Sequence, residues 1–177
     1  MPYSCCPIVA ANRSSAITLN SIDHHGLPSA LPAEHVGTAL ATIRRCNVAI
    51  TKYGAVNYAN PDGTPAAVKG YGTYSYFPPE ALMLSMNYMY EGQQQFGLDL
   101  AHKAWHNLVC VLGYAGDMPN IMRGDVETGE RTFGNDYYQD MMLWSLLAAL
   151  VGQDVSGPVH AGGLVDRVLK AAAPSNH

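Results

Sequence analysis

The sequence predicts an all-α domain, a partial toroid of about five helices joined by long loops. Three observations predict it. Apolar residues recur at intervals of three and four in separate stretches, the spacing that lines one face of a helix. The links between those stretches alternate between short and long, so the helices come in pairs, as they do around a ring. No two runs of alternating apolar and polar residues form a convincing strand pair, and no self-similarity with a period of about 34 or 40 residues points to a helical solenoid.

Residues 1–30 carry no periodicity, are rich in Ser, Asn and Pro, and read as an extended or partly ordered lead-in. Residues 31–173 read as one domain. Leu31-Pro32 opens its first helix: Pro32 suits a first turn, Glu34 the positive N-terminal end, and Val36, Ala39, Leu40, Ile43, Val48 and Ile50 keep helical spacing to about Tyr53, where Gly54 ends it. Residues 54–79 follow as a long connection with a strong turn signal, Asn60-Pro61-Asp62-Gly63. A loop of this length exceeds the usual limit of about 15 residues and is expected to be functional or packed. Tyr71, Tyr74, Tyr76 and Phe77, set among small residues, suit a wall of flat side chains.

Pro78-Pro79 leads into a second helix, Glu80 to about Glu91, whose apolar residues lie on more than one side and which Gly92 stops. The short link to a third helix, about Gln93 to Leu112, makes the two an antiparallel hairpin with Asp99, His102, Lys103 and His106 on the wetter side. The loop 113–135 then concentrates the charge. Next comes the stretch that most constrains the architecture. Asp136 is placed to cap, Gln139 can reach back to it, and from Met141 to Val151 the chain is apolar save for Ser145. A helix apolar on all sides needs a layer of protein around it, so it is expected to be buried. Gly152-Gln153-Asp154 breaks the pattern, a last helix runs from about Val159 to Ala173, and residues 174–177 form a tail.

Composition narrows the classes. Only 14% of the 177 residues are charged, against about 25% in a typical soluble domain. Such a chain is expected to sit within a larger assembly or to keep an apolar face for a partner. A formal charge of −4 with no basic run longer than Arg44-Arg45 argues against nucleic acid. No apolar run approaches the roughly 18 residues that span a bilayer. The N-terminus lacks the basic region and apolar core of a signal peptide, and Cys5, Cys6, Cys46 and Cys110 show neither metal spacing nor a disulfide pattern, which together favour the cytoplasm. His24-His25 on a loop and His102 with His106 one helical turn apart lack a third ligand nearby in sequence, so no metal or other cofactor is expected.

Four segments in order carry a family resemblance: L-P-A-E-H-V at 31–36, G-A-V-N-Y-A-N-P-D-G at 54–63, the Tyr-rich link into a helix ending Y-E-G at 90–92, and F-G-N-D-Y-Y-Q-D-M-M-L-W at 133–144. Over about residues 31–155 the chain resembles the C-terminal part of glycoside hydrolase family 116, the non-lysosomal glucosylceramidases and bacterial β-glucosidases. The resemblance implies an (α/α)6 barrel, retaining chemistry on β-glycosides with a Glu nucleophile and an Asp general acid, and no catalytic metal. Retention sets those carboxyl groups about 5 to 5.5 Å apart. The family's nucleophile lies upstream of the matched region. Its acid precedes the helix matched by 80–91, and a gapless count puts it near Tyr74, where this chain has no Asp. Glu80 is the nearest carboxylate, either the acid or a plain helix N-terminal Glu.

A carbohydrate site needs carboxylates or amides for hydroxyls and aromatic faces for C–H faces. Loop 113–135 supplies the first and loop 54–79 the second. In the family the segment matching Arg123 to Phe133 holds sugar hydroxyls, and the chemistry favours Arg123, Asp125 and Glu127 for that task. Asp136 serves either as a cap or at the mouth of the site, and Tyr74, Tyr76 and Tyr137 are the stacking candidates, against ordinary packing between helices. Three readings stay open: part of a glycosidase barrel lacking its nucleophile, whose bare apolar face meets the missing half or a second copy; a non-catalytic helical protein that binds a sugar or another protein; and a complete small hydrolase using Glu80 with Asp125 or Glu127.

Overall fold

Two prolines and a glycine set the central element. The computed structural model describes residues 32–66, 74–114, 119, 121–123, 131–133, 143–153 and 161–172. In chain order these give α1 (Ala33–Ile43), β1 (Ser75–Tyr76), α2 (Pro78–Tyr90), α3 (Gln94–Trp105), β2 (Ile121–Arg123), β3 (Arg131–Phe133), α4 (Leu143–Leu150) and α5 (Leu164–Ala172). Pro78 and Pro79 occupy the first positions of α2, where no amide hydrogen is needed. Gly92, at φ +77°, ends it: Gln93 N–H donates to the Tyr88 carbonyl at 2.8 Å and Gly92 N–H to that of Met89 at 3.1 Å, so the last turn is closed by a left-handed residue. Gly152, at φ +64°, ends α4 in the same way, with Gln153 bonded to Ala148 and Gly152 to Ala149.

Helix α2 is buried on nearly every side. Leu84 and Tyr88 pack with Val36, Leu40 and Ile43 of α1. Ala81 and Leu82 pack with Ala101 and Ala104 of α3 and with Met122 of β2. Met86 and Met89 meet Ala149 of α4. Each large apolar side chain so enclosed contributes about 1.5–3 kcal/mol. Polar ties fix the crossings: the Tyr88 hydroxyl donates to the Leu40 carbonyl at 2.7 Å, and the Tyr90 hydroxyl to that of Gln153 at 2.9 Å. The Tyr88 ring meets Phe96 edge-on at 4.6 Å, and the Arg44 guanidinium caps the Phe96 ring at 4.0 Å.

The described chain is mostly helical, as expected, with three differences from the sequence reading. The first helix does not reach Tyr53. It widens after Ile43 into a π-helical turn, Arg44–Val48, closed by Ala49 N–H to the Arg44 carbonyl. The third helix likewise ends in a π-helical turn, His106–Val111, with Leu112 N–H bonded to Asn107. Second, the two long connections hold a small antiparallel sheet of order β1-β2-β3, with Ser75 opposite Arg123, Tyr76 opposite Met122, and a bulge between Ile121 and Met122 against β3. Strands of two and three residues leave no alternating run to read in the sequence. Third, α4 is not enclosed by the described chain. Ala149 is buried, but Trp144 is 77% and Leu147 70% exposed.

Of the described glycines Gly97 has the least room, since a Cβ there would lie 2.5 Å from the Ser85 carbonyl oxygen and 2.7 Å from Met89 Cγ. Gly97→Ala is therefore expected to destabilise the fold by about 1–3 kcal/mol in urea unfolding. Gly37→Ala, in open space within α1, should instead stabilise by about 0.5–1 kcal/mol. Equal effects at the two positions would contradict this packing.

Candidate functional site

The sequence-predicted site residues that the structure describes gather around β1 and the start of α2. Tyr76 is fully buried. Its ring stacks on Tyr53 with centroids 6.3 Å apart, its backbone pairs with Met122 on one side and bridges Val56 on the other, and its hydroxyl accepts the Asn107 side-chain amide at 3.0 Å. No face of Tyr76 is left for a sugar, so the reading of it as a stacking platform is corrected: it is a packing residue with a satisfied hydroxyl. Tyr74 sits two residues earlier at φ +58°, a conformation that a side chain other than Gly rarely takes, and packs half-buried against Cys46, Val56 and Ala59. The aromatic wall expected of this loop is thus turned inward at Tyr76 and partly so at Tyr74.

Glu80 lies in the first turn of α2, half-buried. Its Oε2 accepts the Asn57 side-chain amide at 3.0 Å, while Asn57 N–H donates to the Ser75 carbonyl at 2.8 Å. Asn57, itself buried, comes from the G-A-V-N-Y-A-N-P-D-G segment, which this pair of bonds fastens to both the sheet and the helix start. The turn in that segment forms as its residues require. Gly63 takes φ +82°, its N–H bonds the Asn60 carbonyl at 2.9 Å, and the Asp62 carboxylate accepts both the hydroxyl and the N–H of Thr64, bonds that hold its pKa below the usual value. Arg123 stands opposite Ser75 in the sheet, partly exposed, which sets the strand before residues 124–130 beside the strand leading to Glu80. Asp125, Glu127, Asp136 and Tyr137 lie outside the described residues, as do Tyr71, His24, His25, Cys5 and Cys6.

A second constellation includes Tyr53. An open groove of about 350 Å³ is lined by Lys52, Tyr53, His102, Lys103, His106, Asn107 and Val111. The His102 and His106 rings are 5.7 Å apart, and Lys52 Nζ lies 5.3 Å from the centre of the Tyr53 ring. Beneath them Tyr53 is 5% and Asn107 2% exposed, and the Tyr53 hydroxyl and Asn107 Oδ1 are buried with no hydrogen-bond partner. Sequence reasoning singled out the two histidines only as metal ligands lacking a third. Among the described residues no three His, Cys, Asp or Glu come together. What it missed was that Lys52-Tyr53, about 50 residues earlier in the chain, joins them. The local signal was a basic H-K-x-x-H run on one helix, and nothing in that run names a partner. No helix among the described residues is long and apolar enough to cross a membrane.

No family model, no curated protein and no solved structure matches this chain.

Burial holds the Tyr76 and Tyr88 phenols well above the usual tyrosine range, outweighing the Asn107 bond at Tyr76 and the nearby Arg44 at Tyr88. The folded state thus keeps protons that the unfolded chain gives up near pH 10. Their contribution to stability is complete below about pH 10 and is lost as pH rises above it. Unfolding free energies from urea titration are expected to fall steeply with pH above about 10, by up to about 1.4 kcal/mol per pH unit for each tyrosine. Tyr76→Phe should flatten that slope, and an unchanged slope would contradict the burial of this hydroxyl.

Proposed function

We propose that this chain forms part of the (α/α)6 barrel of a retaining β-glycoside hydrolase of the glucosylceramidase or β-glucosidase type, carrying a portion of the sugar site without the nucleophile. One observation carries this reading beside the four sequence segments. The last two described helices present large apolar side chains to solvent, Trp144, Leu147 and Val151 from α4 and its end, and Leu164, Val168 and Leu169 from α5. In a ring of helix pairs such faces are buried between neighbours. On a free-standing domain they leave an apolar surface of the kind that marks an interaction site.

In this reading Arg123 and the acidic residues that follow it, Asp125 and Glu127, hold sugar hydroxyls, with Asp136 and Tyr137 at the mouth of the site. Glu80 is the carboxylate nearest the expected place of the general acid. Its amide donor, Asn57, and its seat at a helix start are the surroundings of a hydrogen-bond acceptor. That, with the burial of Tyr76, favours a second reading, a helical sugar- or protein-binding protein without chemistry.

The purified chain is expected to self-associate through the α4 and α5 faces in sedimentation velocity and to give no turnover of an aryl β-glucoside. It should still bind that glycoside weakly in saturation-transfer NMR, with Arg123→Ala lowering the affinity by about tenfold, or about 1.4 kcal/mol. A monomer with no glycoside contact would sink the proposal. Turnover abolished by Glu80→Gln would overturn the view that the chemistry is incomplete. Glycoside contact without turnover that Arg123→Ala leaves unchanged would place the sugar elsewhere and favour the binding protein.

A further inference from the structure

We propose that the groove between Lys52-Tyr53 and the C-terminal half of α3 is a binding site for a small oxyanion, a phosphate or carboxylate group, separate from the sugar site. In a chain of formal charge −4, two lysines and two histidines converge on one groove. Neither lysine has an ion-pair partner among the described residues. Asp99, four residues before Lys103 and placed to pair with it, is instead bonded by the Gln95 side-chain amide at 2.9 Å. His102 and Lys103 alone would be explained by the helix dipole, which favours cations in a last turn. That explanation does not reach Lys52, which approaches from a different segment and lies over the Tyr53 ring.

The floor of the groove is the independent observation. Tyr53 and Asn107 are each more than nine-tenths buried, both line the groove, and each carries a polar atom with no partner. A buried polar group left unpaired costs about 1–3 kcal/mol, and the two residues that carry these atoms both line this groove. The chemistry of the floor suits an oxyanion. The Tyr53 hydroxyl donates. Asn107 has its amide N–H on the Tyr76 hydroxyl. Turned over, it would accept from that same hydroxyl and present two N–H donors instead, since a phenol serves as either donor or acceptor. Lysine ammonium groups add charge without demanding a fixed geometry, and each imidazole offers an N–H whether neutral or protonated. The volume of about 350 Å³ holds a phosphate with a small substituent, and the open mouth leaves that substituent in water.

The test uses the full chain at constant ionic strength, titrated in turn with inorganic phosphate, with malonate and with chloride, while the ring Hε1 resonances of His102 and His106 are followed by NMR. Saturable shifts at both rings with phosphate or malonate, and none with chloride, are expected. The tighter of the two identifies a phosphoryl or a carboxylate ligand. The Lys52→Gln, Lys103→Gln double variant, which alters only exposed side chains, should weaken binding at least about tenfold, as the loss of two charge-assisted contacts requires. Lys170→Gln, on α5, should leave it unchanged. Shifts that stay linear or that chloride reproduces would overturn the proposal, as would affinity that survives the double variant. Phosphate binding does not depend on glycoside binding, so failure of either proposal leaves the other standing.

Discussion

The described structure depends on a hydroxyl that it cannot expose. Tyr76 is the point where the sheet, the loop from Gly54 and the C-terminal turn of α3 meet, and its phenol is fully buried. An unpaired hydroxyl there would cost about as much as a typical whole mutation destabilises a protein. The Asn107 amide meets it, and that places a constraint on α3. Asn107 lies in the π-helical turn that follows Trp105. Asn47, in the π-helical turn after α1, is buried too, and its amide donates to the Val56 carbonyl at 2.8 Å. Val56 and Tyr76 bridge one another. Two widened helix ends therefore clamp the same pair of bridged residues, each through one asparagine. Gly54 completes the arrangement: at φ +147°, its missing Cβ lets Ala81 of α2 come within 3.2 Å of where that atom would be.

The parts legible in the sequence are those decided by neighbours in the chain. Pro78-Pro79 and Gly92 bound α2, Gly152 ends α4 and Asn60 to Gly63 turn the chain, because helix starts, left-handed caps and turns are settled within a few residues. The illegible parts are decided at a distance. Whether Tyr76 faces a ligand or the core rests on Asn107, 31 residues away, and on a strand partner, Met122, further still. The widening of α1 after Ile43 shortened a helix whose apolar spacing continues to Ile50. That spacing marks buried positions as faithfully in a turn as in a helix, so periodicity alone overran the end.

Helix α4 is only partly enclosed. Its composition demands enclosure, yet the described chain covers only the side that carries Leu143, Leu146 and Ala149. The demand and the shortfall agree if another layer of protein lies against Trp144 and Leu147, and this joins the helix to the barrel proposed for it. Of the proposed sugar contacts, Glu80 and Arg123 are brought to adjoining strands and helix starts by the sheet register, whereas the stacking role of Tyr76 is replaced by packing. Asn107 belongs both to this clamp and to the lining of the cationic groove.

The clamp is tested most directly by a double-mutant cycle on Tyr76→Phe and Asn107→Ala, with stability measured by urea unfolding. If the hydrogen bond between them ties the sheet to α3, the two losses are not additive, and the coupling is about 1 kcal/mol or more. Additive losses would show that Tyr76 and Asn107 serve the fold separately, and the account of the clamp would fall.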